Sequence, residues 1–110
     1  MTPDGGKSYG SLTKIVSPYL EIEGVTTAAL VSTDGLLVTV AGGEEIDMQA
    51  LAAHSASALA VINVLAEELG GPPRILSLEV SRQGLILAPL TKEVFLALAG
   101  DPAILSLARA

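Results

Sequence analysis

The chain has no cysteine and no tryptophan, and a single histidine, a single phenylalanine and two tyrosines stand among its 110 residues. Without cysteine there is no disulfide, no thiolate metal site and no cysteine nucleophile. Lys7, Lys14, Arg74, Arg82, Lys92 and Arg109 are scattered, and the net charge is −6. Binding to a phosphate backbone needs clustered basic residues that release counterions, so nucleic acid is excluded as a partner. Neither a Gly-x-x-x-x-Gly-Lys phosphate loop nor a Gly-x-Ser-x-Gly elbow is present. The first residues, Met-Thr-Pro-Asp-Gly-Gly-Lys-Ser, lack the apolar run of a signal peptide. Together these absences point to a cytoplasmic protein that carries no cofactor and is not an enzyme.

What the chain has in abundance is aliphatic side chain. Half the residues are hydrophobic and the mean hydropathy is +0.58. A body of this size leaves roughly a third of its chain surface exposed. So much aliphatic content predicts that part of that surface is covered by another chain, and the protein is read as an oligomer.

Residues 1–8 are glycine, proline and polar, and are expected to form a disordered leader before a single domain over 9–110. Leu12, Ile15, Val16, Tyr19 and Leu20 recur at helical spacing, with a break expected at Pro18. Two apolar runs, Val25–Val31 and Leu36–Ala41, flank Ser32-Thr33-Asp34-Gly35 and predict a hairpin. Asp47 is placed to cap a long helix that ends at Gly70-Gly71-Pro72-Pro73. Strands over Arg74–Ser81, Leu85–Leu90 and Glu93–Ala99 are separated by short turns and predict an antiparallel meander. Asp101-Pro102 then opens a last short helix that runs to Ala110. The order is helix, two strands, helix, three strands, helix, an α+β pattern.

The long helix, "MQALAAHSASALAVINVLA" over 48–66, holds no charge. At ~1.5 Å per residue it is long enough to cross a bilayer. Gln49, His54 and Asn63 oppose insertion, and no aromatic or basic residues anchor its ends, so it is read as a soluble helix with no membrane insertion. On a wheel of ~100° per residue two stripes emerge. Leu51, Ser55, Ala58, Ile62, Leu65 and Leu69, flanked by Met48, Leu59 and Ala66, are expected against the sheet. Ala50, Ala53, Ser57, Ala60 and Val64 form a seam of small residues on the other side, suited to close approach by a second helix. The alternative is one helix packed between its sheet and the terminal helices, with no partner.

Few residues invite chemistry. His54 lies on the flank of the small-residue seam, and no acidic residue stands one turn away to orient it as a general base. It reads as an interface histidine, the alternative being a pH-sensitive contact. Glu44, Glu45 and Asp47 are not set in a Ca²⁺-loop pattern and read as a solvated loop and a helix cap. Arg74, Arg82 and Arg109 read as surface charge rather than fingers toward a nucleotide phosphate.

The ordered set of Glu23-Gly24-Val25, "LVSTDGLLV" at 30–38, the alanine-rich helix after Asp47, "LSLEV" at 76–80 and "GLILAPL" at 84–90 resembles the roadblock (dynein light chain) family over about residues 12–110. The resemblance implies a five-stranded antiparallel sheet with the long helix across one face and terminal helices, a roadblock/profilin-like sandwich. It implies pairing through that helix and the edge strand that follows it, giving a ten-stranded sheet. The self-interface is then expected at Ala50, Ala53, His54, Ser57, Ala60, Val61 and Val64, with Ile75, Leu76, Ser77, Leu78, Glu79 and Val80. Two departures stand out. Pro18 interrupts the first helix and the last helix is short, which leaves the far face of the sheet incompletely covered.

For function, the resemblance implies a homodimeric module that binds a Ras-like small GTPase and regulates it, in some relatives by stimulating hydrolysis. An acidic rim of Glu44, Glu45, Asp47, Glu67 and Glu68 is expected to steer that partner. A structural subunit of a larger assembly is the alternative. A small-molecule sensor is a third reading, with little aromatic or polar lining in the sequence to support it.

Overall fold

The computed structural model describes residues 12–109, the side chains of residues 108 and 109 excepted. The expected leader and residues 9–11 of the expected domain lie outside the described residues. Helix α1 runs over residues 12–16 and passes at Ser17–Glu21 into a 3-10 helix. Pro18 sits in its first turn, where a missing N–H removes no helical bond. This is the break expected at that proline.

Strands β1 (Val25–Ser32) and β2 (Leu37–Gly42) form the expected hairpin. The Gly35 N–H donates to the Ser32 carbonyl at 2.9 Å, and the Ser32 N–H donates to the Leu36 carbonyl at 2.9 Å. Of the turn residues only Gly35 takes a positive φ, +93°. The loop is therefore a type I turn followed by a left-handed glycine, the three-residue solution to joining two twisted strands.

Helix α2 spans Met48–Glu68, and Asp47 caps it by accepting from the Ala50 N–H at 3.1 Å. Asp47→Ala should lower stability by about 1 kcal/mol, measured as a shifted denaturant midpoint at unchanged slope. At the other end Gly70 takes φ +99°, its N–H bonds the Glu67 carbonyl, and the Gly71 N–H bonds the Ala66 carbonyl. That pair of bonds is a Schellman cap, which a left-handed glycine makes possible and the following prolines seal.

Strands β3 (Leu76–Glu79), β4 (Gly84–Pro89) and β5 (Val94–Gly100) form the meander, all antiparallel. β5 also pairs with β1, so the sheet order is β2-β1-β5-β4-β3. β3 is an edge strand. It is shorter than the run 74–81, because Pro73 cannot donate to a ladder and the chain turns at Ser81.

Both faces of the sheet are covered. On one, α2 packs over Ala29, Val31, Leu87, Phe95 and Ala97. On the other, Ala28, Leu30, Ile86, Leu96 and Leu98 meet Val16 and Ile104 from the two ends of the chain. This explains why β1 reads as a nearly continuous apolar run rather than an alternating one. It also corrects the expectation of an incomplete far face. The last element, Pro102–Arg109, is a 3-10 helix held at its start by the Asp101 carboxylate accepting from the Ala103 N–H. Short as it is, it buries Ile104 and half-buries Leu105 and Leu107, which with Val16 closes that side.

Candidate interaction surface

Helix α2 seats on the sheet through Met48, Ala52, Ser55, Ala56, Leu59 and Ala66. The stripe expected there is turned by roughly one residue step on a wheel of ~100°. Ser55 is buried, and Leu51 and Ile62 are half-buried, but Ala58, Leu65 and Leu69 are exposed. The physical reason lies in the partner face. Phe95 and Val31 already fill much of the space under the helix, so the small Ala52, Ala56 and Ala66 sit against the sheet beside Met48 and Leu59.

The displaced leucines line a trough between α2 and the edge of the sheet. At the N-terminal end of the helix, Ile46, Leu51, Leu78, Val80 and Leu85 surround a hollow of about 430 Å³, with Arg82 at its mouth. Leu51, Leu78 and Leu85 continue into a second hollow of about 410 Å³, which adds His54, Ala58, Ile62 and Leu76. Ile62 and Leu76 lead into a third of about 470 Å³, bounded by Leu65, Leu69 and Pro72. The trough thus runs the length of the helix, and His54 and Arg82 are the only residues lining it that can carry charge. Its rim is exposed: Leu69 is 83% accessible, Val61 68%, Leu78 56%, Leu65 55% and Val80 52%.

Of the residues expected at the self-interface, His54, Leu76, Ser77, Leu78 and Val80 line this trough, and Val61, Ile75 and Glu79 stand exposed beside it. Ala50, Ala53, Ser57, Ala60 and Val64 lie further round the helix, on its outward side, with Ala50 half-buried and the others exposed. Sequence reasoning missed Ala58, Leu65 and Leu69 as surface residues. The bulk of Leu65 and Leu69 and the spacing of Ala58 in the same stripe pointed to the core, and no signal in the chain says which stripe the sheet leaves uncovered.

The acidic residues of the expected rim divide between the two ends of α2. Glu44, Glu45 and Asp47 precede α2 and Glu67 and Glu68 end it, ~30 Å apart at ~1.5 Å per residue. Among the described residues no three acidic or histidine side chains come together as a ligand set, and Asp47 is engaged as the cap. Arg74 and Arg82 are exposed, while the Arg109 side chain lies outside the described residues. Helix α2 passes a test of length and hydropathy for crossing a membrane, yet its face on the sheet belongs to a packed core.

A model of the Roadblock/LC7 domain matches residues 12–99. Comparison with curated protein sequences gives no match. Among solved structures, MglB of Myxococcus xanthus superposes with a TM-score of 0.79 at 20% identity, over 88% of this chain and 74% of that one. The gliding protein MglB of Thermus thermophilus gives 0.77 at 20% identity, over 86% and 74%. A Roadblock/LC7 domain from Streptomyces avermitilis gives 0.74 at 20% identity, over 82% and 78%. All three share the fold: a five-stranded antiparallel sheet under one long helix.

Proposed function

This chain belongs to the Roadblock/LC7 family, and from that premise we propose that it is a non-enzymatic cytoplasmic module that pairs with a second copy of itself and regulates a Ras-like small GTPase. The observation that carries the reading is the trough. A helix-long row of leucine, isoleucine and valine stands open beside a strand edge that has no ladder partner among the described residues. Contiguous apolar surface on this scale marks an interaction site. An open β edge invites pairing, and a second copy fills both needs at once.

Two copies joined at β3 set their α2 helices side by side. The outward seam of Ala50, Ala53, Ser57, Ala60 and Val64 then faces away from both sheets as a flat platform of small residues. That platform is where the GTPase docks, and the acidic ends of the two helices favour a basic partner surface and a fast encounter. With Arg74, Arg82 and Arg109 read as surface charge rather than as fingers, stimulation of hydrolysis would act by ordering the switch loops of the GTPase.

Light scattering at micromolar concentration should give about twice the chain mass of 11.2 kDa. Titration against small GTPases of the same genome, loaded with GDP or a GTP analogue, should show binding in one state below ~100 µM, about −5.5 kcal/mol. Val64→Arg should abolish that binding and leave the dimer intact. If no GTPase binds in either state, the regulator reading fails and a structural subunit of a larger assembly replaces it.

A further inference from the structure

The trough is asymmetric along its length, and the asymmetry is one of charge. At its far end the last turn of α2 carries Glu67 and Glu68 and no basic residue. Two carboxylates there add to the negative end of the helix dipole, an arrangement that calls for a nearby cation. The same end presents Leu69, the most exposed large apolar side chain among the described residues. At the opposite end, Arg82 stands at the mouth of the hollow formed by Ile46, Leu51, Leu78 and Val80. Among the described residues it makes no ion pair within the chain. One helix end carries carboxylates with no cation in its last turn and offers a leucine. The other offers a cation and an apolar hollow.

Symmetry brings the two ends together. This inference rests on the self-pairing proposed above. Two copies that bury the same trough against each other are related by a two-fold axis. The trough opens on the helix side of the β3 edge, so both helices must lie on one face of the joined sheet. The axis then stands perpendicular to the sheet, and the two β3 strands run antiparallel. With the axis at the middle of Leu76–Glu79, Arg82 stands across from Pro73 of the second copy. Pro72 and Pro73 follow directly on the capped end of α2.

We propose that Leu69 of each copy seats in the hollow at Ile46, Leu51, Leu78 and Val80 of the other, and that Arg82 pairs with Glu68 across the same contact, so that this end-to-end match sets the register of the pair. The helical wheel selects Glu68, which lies next to the trough-facing flank of Leu65 and Leu69, whereas Glu67 points to the opposite flank. Slipping β3 by two residues separates the matched ends by ~7 Å and unseats Leu69.

Charge reversal tests the match, because both residues are exposed and neither holds the monomer together. Arg82→Glu and Glu68→Arg should each raise the dimer dissociation constant on the order of tenfold or more, by placing like charges in contact. The double variant should return it to within about threefold of the parent. Leu69→Ala should weaken the dimer without altering that rescue. Sedimentation equilibrium supplies the constants, and thermal unfolding of each variant checks the fold. A dimeric parent whose single variants dissociate no more easily would overturn the end-to-end match and leave self-association standing. Weakened single variants with no rescue in the double would overturn the match as well. A monomeric parent would remove the self-pairing itself.

Discussion

Leu65→Arg should turn the protein into a monomer. Leu65 is 55% exposed in the single chain and borders the trough, so an arginine there is solvated before association and trapped after it. Burying a charge without a partner costs about 3–5 kcal/mol, a dissociation constant raised by two to three orders of magnitude at ~1.4 kcal/mol per tenfold. The folded monomer should be almost untouched, within about 0.5 kcal/mol. Sedimentation equilibrium and denaturation of the same sample separate the two effects. A dimer as tight as the parent would show that the trough is not the contact. Val64→Arg is the matched control, one residue back along the helix and on its outward side.

The second large effect lies in the core. Phe95 is the only phenylalanine, fully buried in β5 between Val31 and the underside of α2. Phe95→Ala leaves a cavity in the layer that carries the trough and should cost about 3–5 kcal/mol. Domains of this kind have only ~5–15 kcal/mol to lose. The urea midpoint should therefore fall by a large fraction of its value. Because a dimer gains stability by mass action, the drop should be read at several protein concentrations. A loss under about 1 kcal/mol would mean that α2 does not depend on this ring for its seat.

Much of this architecture was legible in the residues. Asp34-Gly35 marked the hairpin, Asp47 the start of α2, Gly70-Gly71 with two prolines its end, and Pro18 the change from α1 to a 3-10 turn. These are local signals, each set by backbone geometry or by one capping bond. The rotation of α2 was not legible. It depends on how much room Phe95, Val31 and Leu87 leave beneath the helix, a volume assembled from three strands distant in sequence. Bulk therefore misdirected the assignment, placing Leu65 and Leu69 in the core while the sheet took Ala52 and Ala56 beside the expected Met48, Leu59 and Ala66.

The two margins of the sheet are unequal, and that difference counts how many copies can join. At β2 the pairing with β1 is interrupted between Leu30 and Val31, and the Thr39 side chain is tied to Thr13 at 3.0 Å. A bulged edge, crossed by another segment, is a poor template for a new strand. At β3 neither obstacle is present among the described residues, and Leu78 and Val80 stand open. A sheet with two receptive margins grows into a fibre. With one, a copy that pairs through β3 has a valence of one: its first partner takes that margin, and the proposed assembly stops at a pair.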